Sequence, residues 1–540
     1  MTSILMLAAE HGGLVGGKVG GIGDVIQQLP PALVAAGATV DVLLPSYGVY
    51  HLNAGAKRVV STRVAFAGSI QLVTLYQLPA QDGAGCWVVH HPVFSAPAGQ
   101  IYHHDAADQP FATDANIYAL FCAAAAQLLA DGKWLTPEVV HMHDWHAGTF
   151  AVLARSHKKL SELKLVYTIH NLALQGTRPL KGHPSSLASW FPDLELKQEY
   201  LQDPTYADCY NPTRAALSLV DKIHVVSPSY AREVLESNDL ELGLHGGEGL
   251  EFVLQPRAEE GDLVGLLNGC AYPDEMMLSE PAFADAESFA QERTVLTQIM
   301  QRTLAGWMGQ YDALRSSDFL ARETLASLSQ SFASRFLLTS VGRITDQKVG
   351  LLLHTSEGSN DTLLDKLLAA ISDQGCFVML GAGDESLERQ LVEHAARHQN
   401  FVFLRGYSDA LADALYRAGD LFVMPSLFEP CGISQLLAMR CGQPCLVHAT
   451  GGLKDTVDDD VDGFCFEGAD LDEKAANCEQ ALSRALALYA NPRSYREMRT
   501  QARAKRLSWL KTAKEYIQRL YRVEPSRRSA TWRLASRASR

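Results

Sequence analysis

Short apolar runs rich in Val, Ile and Leu alternate with helix-like stretches through the first half of the chain, and after residue 330 the alternation begins again. The first series reads "ILMLAA", "TVDVLLPS", "CWVVHHPVF", "EVVHMH", "LKLVYTIHN", "KIHVVSPS" and "LVGLLNG". The second reads "RFLLTSVGR", "CFVMLGAGD", "FVFLRGY", "LFVMPSLFEP" and "PCLVHATGG". A run that is apolar on both faces must be buried on both faces, which is the condition of a parallel strand covered by helices. Two such series predict an α/β chain of two doubly wound, Rossmann-like domains, over residues 1–269 and 331–505. A length of 540 residues is too great for one core and suits this division. Between the series, residues 270–330 are polar, helical in pattern and without a strand signal ("AESFAQERTVLTQIMQRTLAGW"), and read as a connecting or inserted helical segment. A C-terminal helix is expected over 506–522. Residues 523–540 carry five arginines and one glutamate and read as a basic, disordered tail.

Composition narrows the function classes. The net charge of −14 argues against a general nucleic-acid binder, so positive partners for an anionic ligand must be local. Ten cysteines are scattered without C-x-x-C pairs, which fits reduced thiols in a cytoplasmic protein better than a zinc module or a disulfide framework. No basic stretch precedes "ILMLAA", and the longest largely apolar segment, "YALFCAAAAQLLA", is too short to span a bilayer.

The stretch "AAEHGGLVGGKVGGIGDV" places a glycine-rich loop between the first strand and a helix. Gly12, Gly17 and Lys18 match the spacing G-x-x-x-x-G-K, but the hydroxyl that should follow to hold magnesium is Val19. Gly20 and Gly21 would weaken a helix begun at the lysine by about 1 kcal/mol each. No G-x-G-x-x-G can be laid on these glycines either. What remains is a strand, a long loop and a helix expected to open near Asp24, broken or kinked at Pro30 and Pro31, whose first amides can meet an anion.

Polar clusters fall where α/β proteins bind ligands, at the carboxyl ends of strands. "HMHDWHAG" brings His141, His143, Asp144 and His146 to one such end, and "YTIHNLALQG" brings His170 and Asn171 to another. Three histidines admit a metal reading, but the aspartate is misplaced for a dinuclear hydrolase, and a polar site for sugar hydroxyls is the stronger reading. In the second half "SVGRITDQKVG" sets Arg343 and Lys348 five residues apart, two cations able to neutralise a diphosphate. "MPSLFEPCGISQ" offers Glu429, Cys431 and Gly432. Cys431 has no activating base nearby in sequence and reads as a packed structural residue. "HATGGLKDTV" adds a turn at Thr450, Gly451 and Gly452 before a helix expected at Lys454 or Asp455.

Taken in order, "KVGGIGDV", "HMHDWHAG", "YTIHNLALQG", "VVSPSYARE", "RITDQK", "LGAGD", "SLFEPCGISQ" and "TGGLKDTV" resemble the motifs of bacterial glycogen synthases and plant starch synthases, retaining glucosyltransferases of the GT-B fold. The resemblance runs from residue 3 to about 520. It implies two Rossmann-like domains facing across a cleft, and transfer of glucose from ADP-glucose to the non-reducing end of an α-1,4-glucan such as glycogen, without cofactor or metal. By the same resemblance Lys18, Gly20, Gly21 and Asp24 contact the donor or acceptor sugar, and Asp144 and His170 lie beside the reacting glucose. Asn268 contacts the cleft, Arg343 and Lys348 hold the phosphates, and Glu429 binds sugar hydroxyls. Glu10, Cys431, Gly432, Thr450, Gly451 and Gly452 complete the expected site. Neither nucleic acid nor membrane is an expected partner. The chain departs from the family pattern at "LNGCA" in place of L-N-G-V-D, at Leu427 in place of arginine, and at His448 and Ala449 before the T-G-G-L run. A related transferase with another donor or acceptor, a hydrolase with metal on His141, His143 and His146, and an inactive glucan-binding regulator are the competing readings.

Overall fold

A computed structural model of the chain describes residues 2–95, 97–194, 197–239, 245–273, 279–310, 315–329 and 331–522. The chain divides into two compact units. The first comprises Met1–Asn238, Gly246–Ala271 and Ser508–Arg540, and the second comprises Asp239–His245 and Tyr272–Leu507. The expected tail, 523–540, lies outside the described residues.

The first unit is built on a nine-stranded sheet. Its strands run in space Leu263–Gly265, Lys222–Val225, Lys164–Ile169, Val139–His143, Ser3–Leu7, Thr39–Pro45, Ala84–His90, Ser69–Gln81, Lys57–Phe66. From Leu263–Gly265 to Ala84–His90 every pairing is parallel, as the apolar runs require. The last two strands pair antiparallel and depart from the parallel expectation. They form a hairpin turned by Ala67 and Gly68, both in the left-handed region (φ 51° and 69°), a geometry that matches the strands' own twist. Chain order reverses beside Ser3–Leu7, which pairs with Thr39–Pro45 on one side and with Val139–His143 on the other. That reversal is a switch point, where two loops leave in opposite directions and open a crevice at the strands' carboxyl ends.

The second unit holds a six-stranded, wholly parallel sheet in the order Phe401–Arg405, Gly375–Gly381, Phe336–Val341, Leu421–Met424, Cys445–His448, Gly463–Phe466. Its switch point lies between Phe336–Val341 and Leu421–Met424. These two doubly wound sheets give the GT-B fold class.

Two local expectations are corrected. The first helix is Gly21–Ala35, opening three residues before Asp24 and continuing through Pro30 and Pro31. The helix after the T-G-G-L turn begins at Gly451, not at Lys454 or Asp455. Residues 286–310 and 316–328 are helices, and Leu296, Met300 and Leu304 recur at helical spacing and are buried with Leu325 and Leu328 in the second unit's core beside Leu337 and Leu404. Arg293 anchors the longer helix through a buried ion pair with Asp420 and a hydrogen bond to the Ala418 carbonyl. After Leu507 the chain returns to the first unit, where helix Trp509–Tyr516 and the turn to Tyr521 bury Trp509, Tyr516, Leu520 and Tyr521.

Candidate active site

The loop between Ser3–Leu7 and helix Gly21–Ala35 folds back on itself: the His11 amide donates to the Gly17 carbonyl and the Gly12 amide to the Gly23 carbonyl, each at 2.8 Å. Glu10, 2% exposed, accepts the amides of Val19 and Gly20 on Oε2, both at 2.7 Å, and the Tyr102 hydroxyl on Oε1 at 2.6 Å. A carboxylate at those amides compensates the orphan donors and the dipole of the helix start. This explains why the helix tolerates glycine at 20 and 21. Lys18, a third exposed, pairs with Asp24 at 2.8 Å.

On the other side of the switch point, strand Val139–His143 hands over directly to helix Asp144–Ser156. Asp144 takes a left-handed conformation (φ 53°), a state that aspartate and asparagine tolerate better than most residues. Its buried carboxylate accepts the His170 amide at 2.7 Å and the Asn171 amide. Burial raises its pKa to about 7, the two amides oppose the rise, and the charge of Glu10 adds to it. His143 Nδ1 and His170 Nε2 lie 3.0 Å apart with their rings stacked. Burial pushes His170 down to about 3 and His143 well below the ordinary histidine range, so both rings are neutral at pH 7.

The metal reading of the histidines finds no convergent geometry. His141 places Nδ1 2.8 Å from the Tyr521 hydroxyl and Nε2 2.6 Å from Thr168 Oγ1, so both nitrogens are engaged. His146 packs against the rings of Tyr118 and Trp145. Asn268, 4% exposed, follows strand Leu263–Gly265 at the sheet edge, and its Oδ1 is buried without a hydrogen-bond partner.

In the second unit the loops leaving both switch-point strands are tied together. Lys348, on helix Asp346–Leu353, forms an ion pair with Glu429, five residues beyond strand Leu421–Met424. Gln347 donates to the Phe428 carbonyl and accepts the Leu427 amide on its own carbonyl, both at 2.9 Å. Arg343 is exposed at the head of the same loop. The Gly452 amide donates to the Glu429 carbonyl at 3.0 Å, and a Cβ at 452 would overlap the Cys431 carbonyl oxygen. Gly432 is left-handed (φ 76°), and the Gln435 side chain bridges the Cys431 and Gly432 carbonyls. Thr450 caps helix Gly451–Thr456 without a side-chain cap bond. Cys431 is buried, in keeping with its reading as a packed residue. Leu427, at the family's arginine position, is buried with Val349 and Leu352. His448 lies 2.9 Å from the Ser426 carbonyl.

The structure thus gathers Glu10, Lys18 and Gly20 of one loop with Gly21 and Asp24 of the helix it opens, Asp144 with His170, and Lys348, Glu429, Cys431, Gly432 and Gly452 in one cluster of the second unit. Asn268 and Arg343 bond to none of these groups among the contacts described. Sequence reading missed Tyr102, Gln347 and Gln435: Gln435 bonds across a turn, but Gln347 and Phe428 lie 81 residues apart and Tyr102 and Glu10 92.

Residues 3–256 match the starch synthase catalytic domain and residues 348–484 the glycosyl transferases group 1 family. A glycogen synthase of Pectobacterium carotovorum is 32% identical over 524 residues, covering 93% of this chain and 97% of that protein. Among solved structures, the catalytic domain of starch synthase IV from Arabidopsis thaliana, bound to ADP and acarbose, superposes with a TM-score of 0.74 at 24% identity over 96% of this chain and 98% of that one. Sucrose-phosphate synthase from Thermosynechococcus elongatus gives 0.55 at 17% identity over 97% of this chain and 98% of its own. The 32% identity to the Pectobacterium glycogen synthase over nearly the whole of both chains settles the family: the chain belongs to the glycogen and starch synthase family of glycosyltransferases.

Proposed function

We propose that this enzyme transfers glucose from ADP-glucose to the non-reducing end of an α-1,4-glucan with retention of configuration. The observation that carries the reading is the coupling of Lys348 to Glu429 across the second unit's switch point, a cation and a carboxylate held by the loops of two adjacent strands. Fission of the glycosidic bond builds negative charge on the leaving diphosphate while the glucose becomes oxocarbenium-like. Arg343 and Lys348 meet the first charge, and the amides of the Thr450–Gly452 turn add donors. Glu429 orients Lys348 and accepts hydroxyls of the sugar, while Cys431 and Gly432 set the shape of the loop that carries it. In the first unit Lys18, Gly20, Gly21 and Asp24 address donor or acceptor sugar, Asp144 and His170 stand beside the transferred glucose, and Asn268 offers its buried amide. Glu10 works through its loop, since both its oxygens are bonded within the protein.

The relative from Pectobacterium is a glycogen synthase, and the Arabidopsis structure holds ADP and acarbose, both consistent with this donor and acceptor. The test is release of nucleoside diphosphate and extension of glycogen, with ADP-glucose beside UDP-glucose. Turnover with ADP-glucose preferred supports the reading. Preference for UDP-glucose replaces the donor, and glucan binding without turnover makes the protein a regulator.

A further inference from the structure

We propose that the second unit carries a surface site for a borderline transition-metal ion, such as Zn²⁺ or Ni²⁺, formed by Asp365, His394 and His398. The three residues come from two helices. Asp365 stands in the first turn of Leu363–Ile371, whereas His394 lies in the last turn of Glu385–Arg397 and His398 directly follows it. A spacing of four residues sets the two imidazoles on one side of that helix end. Their nitrogens converge on one oxygen: His394 Nδ1 lies 3.0 Å and His398 Nε2 2.6 Å from Asp365 Oδ1. One ligand atom from each of the three lies within 4.8 Å of the others, the only such trio of His, Cys, Asp or Glu among the described residues. Metal–nitrogen and metal–oxygen bonds of about 2.0–2.2 Å place tetrahedral ligand atoms about 3.3 Å apart, so the His394 contact is already near that spacing, whereas His398 must draw back from Asp365 Oδ1 by about 0.7 Å to admit the ion.

Two further observations favour a cation at this point. Asp365 Oδ2 is already committed to the Thr362 amide and hydroxyl in a capping box, so the carboxylate is fixed with Oδ1 turned to the histidines. Arg397 Nη2 lies 2.9 Å from His394 Nδ1 and 3.4 Å from Asp365 Oδ1. The same guanidinium nitrogen lies 3.4 Å from His394 Nε2, so a cation already rests against both the carboxylate and the ring. The cluster therefore takes a positive charge from outside, and Arg397 supplies it in the metal-free protein. The Arg397 side chain is 56% exposed and can swing into solvent when a metal takes its place. Two imidazoles and one carboxylate select a borderline metal over Mg²⁺ or Ca²⁺, which prefer all-oxygen sets. His398, a quarter exposed, leaves the fourth position to water.

The test is titration of the chelator-treated full-length protein with Ni²⁺ and, separately, Co²⁺, followed by calorimetry and by visible absorption. One equivalent is expected to bind, without the sulfur-to-metal charge-transfer band that cysteine ligation would give, and without competition from millimolar Mg²⁺. His398→Ala, at the partly exposed ligand, weakens binding at least tenfold. Arg397→Ala keeps all three ligands, removes the competing charge and tightens binding severalfold. Equal affinity in His398→Ala, a thiolate band, or weaker binding in Arg397→Ala would overturn the proposal.

Discussion

Asp144 combines a left-handed backbone, a buried carboxyl and two backbone amides, and the balance of these can be read from pH. Its pKa in the fold is about 7 against an ordinary 3.8, so between those values the native state holds a proton that the unfolded chain has released. Stability from this group is therefore present at low pH and lost as pH rises through about 7. Asn tolerates the same backbone and still accepts the His170 amide. Asp144→Asn should be more stable than the parent at pH 8, by up to about 4 kcal/mol for a shift near three units, and nearly equal to it at pH 4. Denaturant midpoints at the two pH values check this; a constant gap between the proteins would show that the carboxyl is not strained by burial. At the other switch point, Arg343→Ala and Lys348→Ala should each lower kcat by hundreds-fold with little change in KM for ADP-glucose, since a preorganised charge is worth about 3–4 kcal/mol where the leaving diphosphate gains charge. Wild-type kcat with a raised KM would withdraw the leaving-group role. Glu429→Ala also unpairs Lys348, so Lys348→Ala in that background should cost much less than it does alone.

The interlock of Gly452 with the loop carrying Glu429 makes one short turn a sensitive element. Gly452→Ala would drive a Cβ into the Cys431 carbonyl while the Gly452 amide bonds the Glu429 carbonyl, so the loop must move. Overpacking of this kind costs about 1–3 kcal/mol, and kcat should fall together with the urea midpoint. An unchanged midpoint and full activity would show that the contact is slack. These loops were legible in sequence because they follow strands whose apolar runs announce burial on both faces. The start of helix Gly21–Ala35 was not, because glycine argues against a helix start and the compensating carboxylate of Glu10 becomes visible only when the loop is folded. The hairpin Lys57–Gln81 escaped for another reason: its alternation is half exposed, and Ala67–Gly68 lacks the Asn-Gly or Asp-Gly signature of its turn. Asp365, His394 and His398 were equally silent, since nothing in their spacing says that a capping aspartate meets a helix end some thirty residues on.

In the first unit His141, His143, His146, His170 and His224 are among the histidines that are buried and held neutral. Their native pKa values lie below 6.5, so the unfolded chain binds more protons beneath that pH and stability falls as pH drops. Each contributes a slope of at most about 1.4 kcal/mol per pH unit, and five outweigh the opposite slope of Asp144. The melting temperature should fall steeply between pH 6.5 and 5; a flat profile would mean these rings titrate freely. Part of this core is held by the returning C-terminal segment, whose Tyr521 and Tyr516 hydroxyls lie 2.8 Å from His141 and 3.2 Å from His224. Trp509, Tyr516, Ile517, Leu520 and Tyr521 are each 5% exposed or less. At about 1.5–3 kcal/mol for each large apolar side chain, their removal costs roughly 8–15 kcal/mol, as much as a whole domain's stability. A chain ending at residue 507 should therefore fail to fold its first unit and aggregate. A chain ending at residue 522 keeps every one of these contacts, and if 523–540 is the solvated tail its composition suggests, it should melt and turn over like the parent. Tyr521→Phe separates packing from hydrogen bonding, because it keeps the ring and loses only the hydroxyl near His141; a loss of about 1 kcal/mol is expected. A soluble, active 507-residue chain would show that the first unit's core closes without the return.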